Sequence, residues 1–379
     1  MKFTINRSAF IKELNNVQRA ISSKTTIPIL TGLKLDVATE AITLTGSDAD
    51  ISIETTIPAN DDNNTLVVEE AGSIVLPARF FSEIVKKLPE TTMTVAVTEG
   101  FQTQITSGAA SFTINGLDPD NYPHLPEIDT TNTITLAGDV FKELIGQTVI
   151  AVSNQESRPI LTGIHFILAD GEFLAVATDS HRLSQRKIKL PAANNANYDV
   201  IIPGKSLTEL SRMIGDDNPD VQMRLSENQV LFVLGNTAFY SRLLEGNYPD
   251  TSRLIPKESN TTVEIEAPAL SAAIERASLL SHESRNNVVR LSVNPSDKTI
   301  TIFGNSPDVG EVTEQLQPAE LTGEELEISF NPDYMKEALH SFGQAMIKIS
   351  FTMALRPFTL VPTEEGENFI QLITPVRTF

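Results

Sequence analysis

Pro28-Ile29-Leu30-Thr31-Gly32 recurs as Pro159-Ile160-Leu161-Thr162-Gly163, and this repeat determines how the rest of the chain is interpreted. The two segments lie 131 residues apart, and Ser47-Asp48 falls opposite Thr178-Asp179 at the same offset. Two ordered matches at one offset indicate a duplicated domain, and internal periods of this kind have to be found before a fold is assigned.

A second anchor and a fainter third copy extend the repeat over the whole chain. Asn121-Tyr122-Pro123 recurs as Asn247-Tyr248-Pro249, and Glu156-Ser157-Arg158 recurs as Glu283-Ser284-Arg285. The 379 residues fit two or three domains at the usual length of roughly 100 to 200 residues per domain. Three copies of about 126 residues account for this length. The repeat therefore predicts domains at residues 1–126, 127–256 and 257–379.

Each copy has the same order of helical and strand patterns. A short strand precedes an amphipathic helix, as in residues 8–22, where Phe10, Leu14, Val17 and Ile21 share one face. A second helix begins near a proline, which suits a first helical turn. Alternating runs bounded by Gly, Asp and Asn turns predict antiparallel hairpins. The predicted fold is α+β, with three repeated domains that each combine antiparallel sheet with two helices. The predicted helices are residues 8–22, 78–88, 139–153, 205–214, 268–281 and 332–342.

The charge is strongly negative but unevenly distributed. With 29 Lys and Arg against 49 Asp and Glu, the formal charge of −20 repels nucleic acid and anionic membranes at long range. The six predicted helices nevertheless carry ten basic residues against eight acidic ones, a net of +2, so the rest of the chain carries −22. This segregation indicates a helix-bearing surface distinct from an acidic sheet surface. Solvated helices with an ordinary preference for Lys and Arg explain the count equally well.

Several chemistries are excluded by the residues present. The absence of cysteine removes disulfides, thiolate metal sites and cysteine nucleophiles, and no HExxH or GxSxG motif occurs. Gly204-Lys205-Ser206 resembles the end of a phosphate-binding loop, but Asp199 stands where the first glycine is required. We therefore expect a non-catalytic binding protein without metal or cofactor. The N-terminus lacks a signal peptide and no apolar run reaches 18 residues, which predicts a cytoplasmic protein with no membrane partner.

Two segments carry a resemblance to a known family: Ala177-Thr178-Asp179-Ser180-His181-Arg182-Leu183 and the C-terminal Pro375-Val376-Arg377-Thr378-Phe379. With the repeated anchors, they resemble the bacterial DNA sliding clamp, the beta subunit of DNA polymerase III, over the full chain. The resemblance implies a head-to-tail homodimer whose six domains close a ring around double-stranded DNA, with helices lining the hole. It implies a processivity factor that tethers the replicative polymerase and also binds the clamp loader and other clamp-motif proteins. Weak contacts with phosphates suit sliding, because affinity grows with every phosphate neutralised.

The resemblance also assigns a peptide-binding pocket between the second and third copies. Some family members have glycine at the position of Ser180 and methionine at those of Thr374 and Val376, so the preferred peptide of this chain is open. Strand leucines such as Leu161, Leu183 and Leu355, taken singly, fit an ordinary core better than a site. The matching positions are Arg158, Leu161, Thr178, Ser180, His181, Arg182, Leu183, Pro249, Leu254, Asn331, Tyr334, Leu355, Pro357, Leu372, Thr374, Pro375, Val376 and Arg377.

DNA contacts and a subunit interface are the remaining expectations. Lys24 and Gln155 match family DNA contacts, whereas Arg79 and Arg285 are added by position and charge and are equally explained as solvated surface residues. The resemblance further implies a subunit interface between the first copy and the third copy of the partner, for which core packing is the competing explanation. The matching interface positions are Phe112, Ile114, Leu279 and Leu280.

Two other classes of protein remain open on the residues alone. An acidic, β-rich adhesion or ligand-binding repeat protein would also be triplicated and free of cysteine, but it would need a secretion signal. A carboxylate-dependent hydrolase would need two acids that converge in one cleft. A solution mass and a particle image that reveals a central hole would distinguish the ring from both alternatives.

Overall fold

The computed structural model describes residues 1–129, 133–155, 157–190, 197–215, 220–283 and 287–377. The chain divides into two compact units. The first unit consists of Met1–Phe141 and Glu209–Leu243, and the second consists of Lys142–Thr208 and Leu244–Phe379. The middle copy of the repeat therefore contributes residues to both units.

The six predicted helices are all present, two in each copy. The first and third end earlier than predicted because the chain tightens after them. The amides of Arg19 and Ala20 donate to carbonyls three residues back, and Val149–Ala151 forms a 3₁₀ turn. The helices are α1 Arg7–Gln18, α2 Ala78–Lys87, α3 Gly138–Thr148, α4 Gly204–Met213, α5 Ala267–Ser281 and α6 Pro332–Ser341.

The described residues also form strands, which follow the same order in each copy. In the first copy they are β1 Lys2–Asn6, β2 Gly32–Ala38, β3 Ala41–Ser47, β4 Ile51–Pro58, β5 Val67–Glu70, β6 Gly72–Pro77, β7 Thr92–Val97, β8 Gln102–Ser107 and β9 Ala110–Asn115. In the second they are β10 Ile134–Leu136, β11 Gly163–Ala169, β12 Glu172–Thr178, β13 Arg182–Lys189, β14 Tyr198–Pro203, β15 Val221–Leu225, β16 Gln229–Leu234 and β17 Thr237–Arg242. In the third they are β18 Thr261–Glu266, β19 Val289–Asn294, β20 Thr299–Ser306, β21 Gly310–Leu316, β22 Glu320–Gly323, β23 Leu326–Phe330, β24 Met346–Phe351, β25 Phe358–Pro362 and β26 Phe369–Ile373.

The first unit contains two antiparallel sheets. One has the strand order β5-β1-β7-β8-β9, and the other has the order β10-β15-β16-β17-β4-β3-β2-β6. The larger sheet joins two copies of the repeat, because β17 of the second copy pairs with β4 of the first. Phe239 lies opposite Ile53 at the centre of this join.

The second unit repeats this arrangement. Its larger sheet has the order β14-β11-β12-β13-β26-β25-β24-β18-β22, and its smaller sheet has the order β21-β20-β19-β23. Here β26 of the third copy pairs with β13 of the second, and Gln371 lies opposite Ser184. Each copy thus contributes to two sheets rather than one. Alternation of apolar residues does not predict this, because it does not specify the neighbouring strand.

Helices pack closely onto the sheets, as the apolar faces predict. Phe10, Leu14 and Val17 of α1 are buried, and the Phe10 ring lies 5.8 Å from that of Phe81 in α2. At Gly46 of β3, a Cβ atom would lie 2.7 Å from the carbonyl oxygen of Val17. Only glycine allows this approach of helix and strand.

Candidate functional site

The turn between β12 and β13 is held by the carboxylate of Asp179. Its Oδ1 accepts hydrogen bonds from the amides of His181 at 2.9 Å and Arg182 at 3.0 Å. Asp48 in the first copy accepts the same two bonds, from the amides of Asp50 and Ile51. The repeated Ser/Thr-Asp pair therefore encodes a turn, since an aspartate that bonds to amides further along the chain stabilises this geometry.

Ser180 occupies a left-handed backbone conformation in this turn, with φ of 81°. Glycine adopts that region without steric cost, whereas other residues are strained there. This explains why glycine suits the position in the resembling family. The serine gains a contact in exchange, because the Arg158 Nη1 atom donates a hydrogen bond of 3.1 Å to Ser180 Oγ.

A cavity of about 560 Å³ opens beside this turn in the second unit. Tyr248, a half-buried neighbour, accepts a hydrogen bond of 3.0 Å from the Thr178 amide through its hydroxyl oxygen. Burial raises the pKa of Tyr248 to about 12, so the hydroxyl stays neutral. The lining is mostly apolar, which suits hydrophobic side chains of a ligand. It consists of Arg158, Pro159, Ile160, Leu161, Thr178, Ser180, Pro249 and Leu254.

A second cavity of about 320 Å³ shares Leu254 with the first. Met353 is exposed at its wall, and Leu355, exposed as well, lies two residues further along the chain. Exposed large apolar side chains grouped in this way are typical of interaction sites. The second cavity is lined by Arg253, Leu254, Pro256, Thr352, Met353, Arg356 and Pro357.

Arg182 is held between Asp179 of the turn and side chains of the third copy, and it lines neither cavity. Its guanidinium carbon lies 4.4 Å from the ring centroid of Tyr334, and it forms ion pairs with Asp179 and Glu337. The His181 ring stacks on Tyr334 with 6.5 Å between ring centroids. Burial raises the pKa of Tyr334, which therefore remains a neutral ring partner. This group joins the turn to α6.

The segment from Thr374 to Arg377 is docked by two backbone hydrogen bonds. The Thr374 amide donates to the His181 carbonyl at 2.9 Å, and the Val376 amide donates to the Ser329 carbonyl at 2.8 Å. Thr374, Pro375 and Val376 are half-buried, whereas Arg377 is exposed. Thr378 and Phe379 lie outside the described residues. The segment is thus fixed beside the turn.

The sequence-predicted pocket residues divide into three groups. Arg158, Leu161, Thr178, Ser180, Pro249, Leu254 and Pro357 line one of the two cavities. Leu183 and Leu372 are buried opposite each other in β13 and β26, and Asn331 caps α6 by accepting a hydrogen bond from the Asp333 amide. The third group lines neither cavity. Its members adjoin the turn or are near lining residues in the sequence: His181, Arg182, Tyr334, Leu355 and the residues from Thr374 to Arg377. Residues not predicted from sequence are Pro159, Ile160, Arg253, Pro256, Thr352, Met353 and Arg356. For Pro159 and Ile160, the repeated Pro-Ile-Leu-Thr-Gly segment was the available indication.

Family models of the three domains of one protein match the chain in order. The model described as "DNA polymerase III beta subunit, N-terminal domain" matches residues 1–126, the central-domain model matches 135–250 and the C-terminal-domain model matches 252–377. The chain belongs to the family of DNA polymerase III beta subunits, the beta sliding clamps.

Individual members of the clamp family match the chain over its whole length. The beta sliding clamp of Bacillus subtilis is 50% identical, and that of Staphylococcus aureus is 44% identical, each over 100% of both chains. Crystal structures of the clamps of Bacillus subtilis and Pseudomonas aeruginosa superpose with TM-scores of 0.96 and 0.91, at 49% and 26% identity and with full coverage of both chains.

Membership of the clamp family establishes the function at family level. The chain is a non-catalytic processivity clamp of DNA polymerase III. Clamps of this family form dimeric rings that encircle double-stranded DNA and bind the polymerase. The adhesion and hydrolase alternatives are thereby excluded. Among the described residues, no helix is long and apolar enough to cross a membrane.

The predicted DNA-contacting residues of the clamp are exposed where they are described. Lys24 and Gln155 occupy equivalent loops, because the Lys24 amide donates to Ser22 Oγ and the Gln155 amide donates to Ser153 Oγ. Arg79 on α2 is exposed and pairs with Glu83 at 3.4 Å. Arg285 lies outside the described residues.

The predicted interface residues of the clamp lie on an edge strand and at a helix end. Phe112 and Ile114 belong to β9, the last strand of the five-stranded sheet. Leu279 and Leu280 lie in the last turn of α5, and Leu279 is 70% exposed. Leu280 is half-buried, so only part of it is available to a partner.

Proposed function

We propose that the clamp holds its polymerase through the two cavities that share Leu254. The observation that carries this proposal is the pair of exposed apolar residues Leu254 and Met353 in the lining of the second cavity, with Leu254 shared by the mostly apolar first cavity. A short linear segment of a partner would bury its apolar side chains there. Arg158 and the docked C-terminal segment would hold the polar groups of the peptide.

A charge placed in the cavity tests this assignment. Leu254→Asp should weaken binding of the catalytic subunit of DNA polymerase III at least 10-fold, because it buries a carboxylate against apolar side chains. Val67→Asp is the matched control, since Val67 is a similarly exposed apolar residue of β5. Binding is measured by surface plasmon resonance, and mass photometry confirms that both variants keep the wild-type assembly. Equal losses for the two variants, or none for Leu254→Asp, would reject the site.

The dimer is proposed to form by pairing β9 of one protomer with β21 of its partner. The two joins within the chain supply the rule for this pairing. Strands of the first kind are β4 and β13, which are the last strands of the equivalent runs β2-β3-β4 and β11-β12-β13. Strands of the second kind are β17 and β26, which are the last strands of the equivalent runs β10-β15-β16-β17 and β18-β24-β25-β26. In each unit one strand of the first kind pairs antiparallel with one strand of the second kind. The remaining strands of these two kinds are β21 and β9, which are edge strands in the described residues.

The equivalence also specifies which residues lie opposite each other. A cross-strand row runs through Met223, Phe232, Phe239 and Ile53 in the first unit. The corresponding row of the five-stranded sheet ends at Phe112, which is 40% exposed. The residue of β21 that corresponds to Ile53 is Val312, because both pair with the glycine that a helix approaches, Gly46 and Gly304. Phe112 of one protomer should therefore face Val312 of the other protomer.

Further exposed apolar residues fall at positions equivalent to contacts within the chain. Phe80 occupies in α2 the place that Tyr334 occupies in α6, and Val309 directly precedes β21 as His181 directly precedes β13. Since Tyr334 stacks on His181, Phe80 of one protomer should contact Val309 of the other protomer. Both are 61% exposed in the single chain. Burial of these side chains would stabilise the dimer by the hydrophobic effect.

A cross-link tests the register directly, because the chain contains no cysteine. The double variant Phe112→Cys with Val312→Cys should form a disulfide between copies on mild oxidation, since directly opposite residues bring Cβ atoms to about 4.5–5.5 Å. The pair Thr113→Cys with Val312→Cys is the control, because a one-residue shift places the side chain on the other face of the sheet. Efficient cross-linking of the control and not of the first pair would reject the register.

The remaining proposals concern DNA, domain limits and location. The exposed residues Lys24, Gln155 and Arg79 are proposed to contact the DNA backbone weakly, which suits a clamp that slides. The domains are proposed to span residues 1–126, 127–256 and 257–379, each with the same order of strands and two helices. The protein is proposed to act in the cytoplasm, where bacterial chromosomes are replicated.

A further inference from the structure

A further cavity, of about 500 Å³, lies within the first unit and shares no residue with the two cavities that meet at Leu254. It is bounded by the segment 122–128, which connects the first two copies, and by one face of the larger sheet. Two cross-strand rows of that sheet belong to its lining. One row is Lys34, Thr45 and Glu54, and the other is Tyr240, Leu231 and Arg224.

The equivalent face in the second unit is apolar and packed. Thr45 and Tyr240 correspond to Val176 and Leu372, at the same places in the repeat and at the two joins. Val176 and Leu372 are buried in one apolar cluster, against which Ile255 of the second connecting segment packs. The fold therefore does not require polar residues at this face.

Glu54 is a half-buried carboxylate that forms no ion pair with the described residues. Its Oε2 atom accepts a hydrogen bond from Thr45 Oγ1 at 3.4 Å, which is long for such a bond. Lys34 pairs instead with Asp36, at 3.0 Å. Burial raises the pKa of Glu54, and the Asp36 carboxylate adds to the rise, because both disfavour the charged form. A positive group in the cavity would stabilise this carboxylate.

Arg224 is half-buried and also lacks an ion pair within the described part of the chain. Its Nη2 atom donates a hydrogen bond of 2.9 Å to Gln222 Oε1, which is a neutral acceptor. Its Nε atom is buried and has no hydrogen-bond partner among the residues that the structure describes. A buried donor without an acceptor is destabilising, and a charged acceptor binds a guanidinium more strongly than an amide does. A negative group in the cavity would therefore stabilise Arg224.

The two charges lack partners although they line the same cavity. Tyr240 lies within electrostatic range of both, since burial raises the pKa of Tyr240, Glu54 raises it further and Arg224 lowers it in part. Ile128 and Leu231, both buried, supply apolar surface to the lining. The cavity thus offers separate places for a cation, an anion and an apolar group.

We propose that this cavity binds a small zwitterion of the free amino acid or dipeptide class, with its ammonium group on Glu54, its carboxylate on Arg224 and its side chain against Ile128 and Leu231. Arginine matches the geometry of a carboxylate, and the volume falls in the range of roughly 300–1,000 Å³ that is typical of small-ligand sites. A simple amine or a simple carboxylate would satisfy only one of the two charges. The site is independent of the proposed peptide-binding function.

A bound zwitterion would connect the first two copies. Glu54 belongs to β4 of the first copy, and Arg224 belongs to β15 of the second. Since β17 and β4 already pair at this join, the ligand would add contacts across the same boundary. A ligand that binds only the folded protein stabilises it by mass action, so it should raise the unfolding temperature of the clamp.

The probes are the standard amino acids and a panel of dipeptides, each added to the full-length clamp at about 10 mM, where even a weak ligand stabilises. Dye-based thermal unfolding selects the probes that stabilise, and isothermal titration calorimetry measures the affinity of the best one. That ligand is then compared with its N-acetyl derivative, which lacks the ammonium group, and with its amide, which lacks the carboxylate. Each derivative should bind the wild-type clamp about 10-fold more weakly.

Variants of the clamp assign each charge to its residue. Glu54→Gln should remove the preference for the zwitterion over its N-acetyl derivative, and Arg224→Gln should remove the preference over its amide. Glu40→Gln and Arg242→Gln are the matched controls, because both residues are exposed and lie outside the lining. Both controls should bind as the wild type does. The comparison of derivatives uses the wild-type protein, so it does not depend on the folding of any variant.

The outcomes decide both the site and the class of ligand. A ligand that needs both of its charges, and that loses each preference in the matching variant alone, supports the proposal. Stabilisation by none of the probes would reject the site. A ligand that binds no better than its amide would indicate a site for cations alone, and preferences that persist in both variants would place the ligand elsewhere. Either of these results overturns the proposal.

Discussion

Gln371 of β26 lies opposite Ser184 of β13, and its side-chain nitrogen lies 3.0 Å from Ser184 Oγ. The same nitrogen lies within hydrogen-bonding distance of the Gln147 carbonyl and of Ser341 Oγ. Ser184 Oγ donates in turn to the Gln147 carbonyl at 2.6 Å. The equivalent pair in the first unit is Phe239 and Ile53. The two joins therefore share a topology but differ at the centre, one being polar and the other apolar.

Replacing Gln371 should weaken the polar join. Gln371→Leu removes a buried amide group whose nitrogen lies within hydrogen-bonding distance of the Ser184 and Ser341 hydroxyls and the Gln147 carbonyl, and we expect a loss of about 1–3 kcal/mol in the free energy of unfolding. Denaturant unfolding followed by circular dichroism measures the loss. Gln371→Phe combined with Ser184→Ile recreates the apolar pair and should recover part of the stability. A single variant as stable as the wild type would show that the network is not stabilising.

Ser180 should reveal the cost of its backbone conformation. Ser180→Gly relieves the strain at φ of 81° but loses the contact with Arg158, whereas Ser180→Ala loses the contact and keeps the strain. We expect the glycine variant to be more stable than the alanine variant by about 1 kcal/mol. Thermal unfolding measures the difference. Ala49→Gly, at the equivalent φ of 79°, should be stabilised as well. If alanine were the better residue at position 180, the assignment of strain would be wrong.

Asp333 should contribute stability that is lost in acid. Burial by itself raises the pKa of Asp333, but hydrogen bonds from Lys336, His282 and Asn287 outweigh it and lower the pKa below the usual value. A depressed folded-state pKa means that the contribution is full above the unfolded pKa of about 4 and is lost as the pH falls through the folded value. Asp333→Asn should therefore be less stable than the wild type at pH 7 by about 0.5 kcal/mol, because the group is partly exposed.

The difference between Asp333→Asn and the wild type should shrink as the pH falls below about 4, because the wild-type carboxylate becomes protonated as the pH passes its depressed folded-state pKa. Chemical unfolding at several pH values follows this change. Asp308→Asn, in the exposed turn before β21, serves as the control. A difference that grows in acid would contradict the direction assigned to the pKa.

Lys24 should contribute to DNA binding without sequence preference. Lys24→Ala should lower the slope of log K against log salt by about 0.9, because one phosphate contact is lost. Retention of the loaded clamp on circular DNA at increasing salt measures this slope. Lys189→Ala, at an exposed position of β13, is the control and should leave the slope unchanged. All variants should leave the DNA when the circle is cut, and retention on linear DNA would contradict encirclement.

The repeat made much of the fold predictable, because turns and helix faces depend on local sequence. The aspartate of each Ser/Thr-Asp pair fixes its own turn, and Phe10, Leu14 and Val17 are buried as their spacing predicts. The joins between copies were not predictable, since nothing in β4 or β17 specifies the partner strand. Arg356 was missed for a similar reason. Its place beside Met353 and Leu254 depends on how distant segments come together.

In the proposed dimer, the edge strands β9 and β21 determine at how many chains assembly stops and how the ring opens. In the proposed pairing each chain supplies one β9 and one β21, so two chains pair both strands and a third chain finds no unpaired β9 or β21, provided that the rotation closes. Growth then stops at two without any further interaction. A closed pair contains two equivalent seams between chains, and separating one of them leaves both chains attached through the other. The clamp can thus admit DNA without falling apart into monomers.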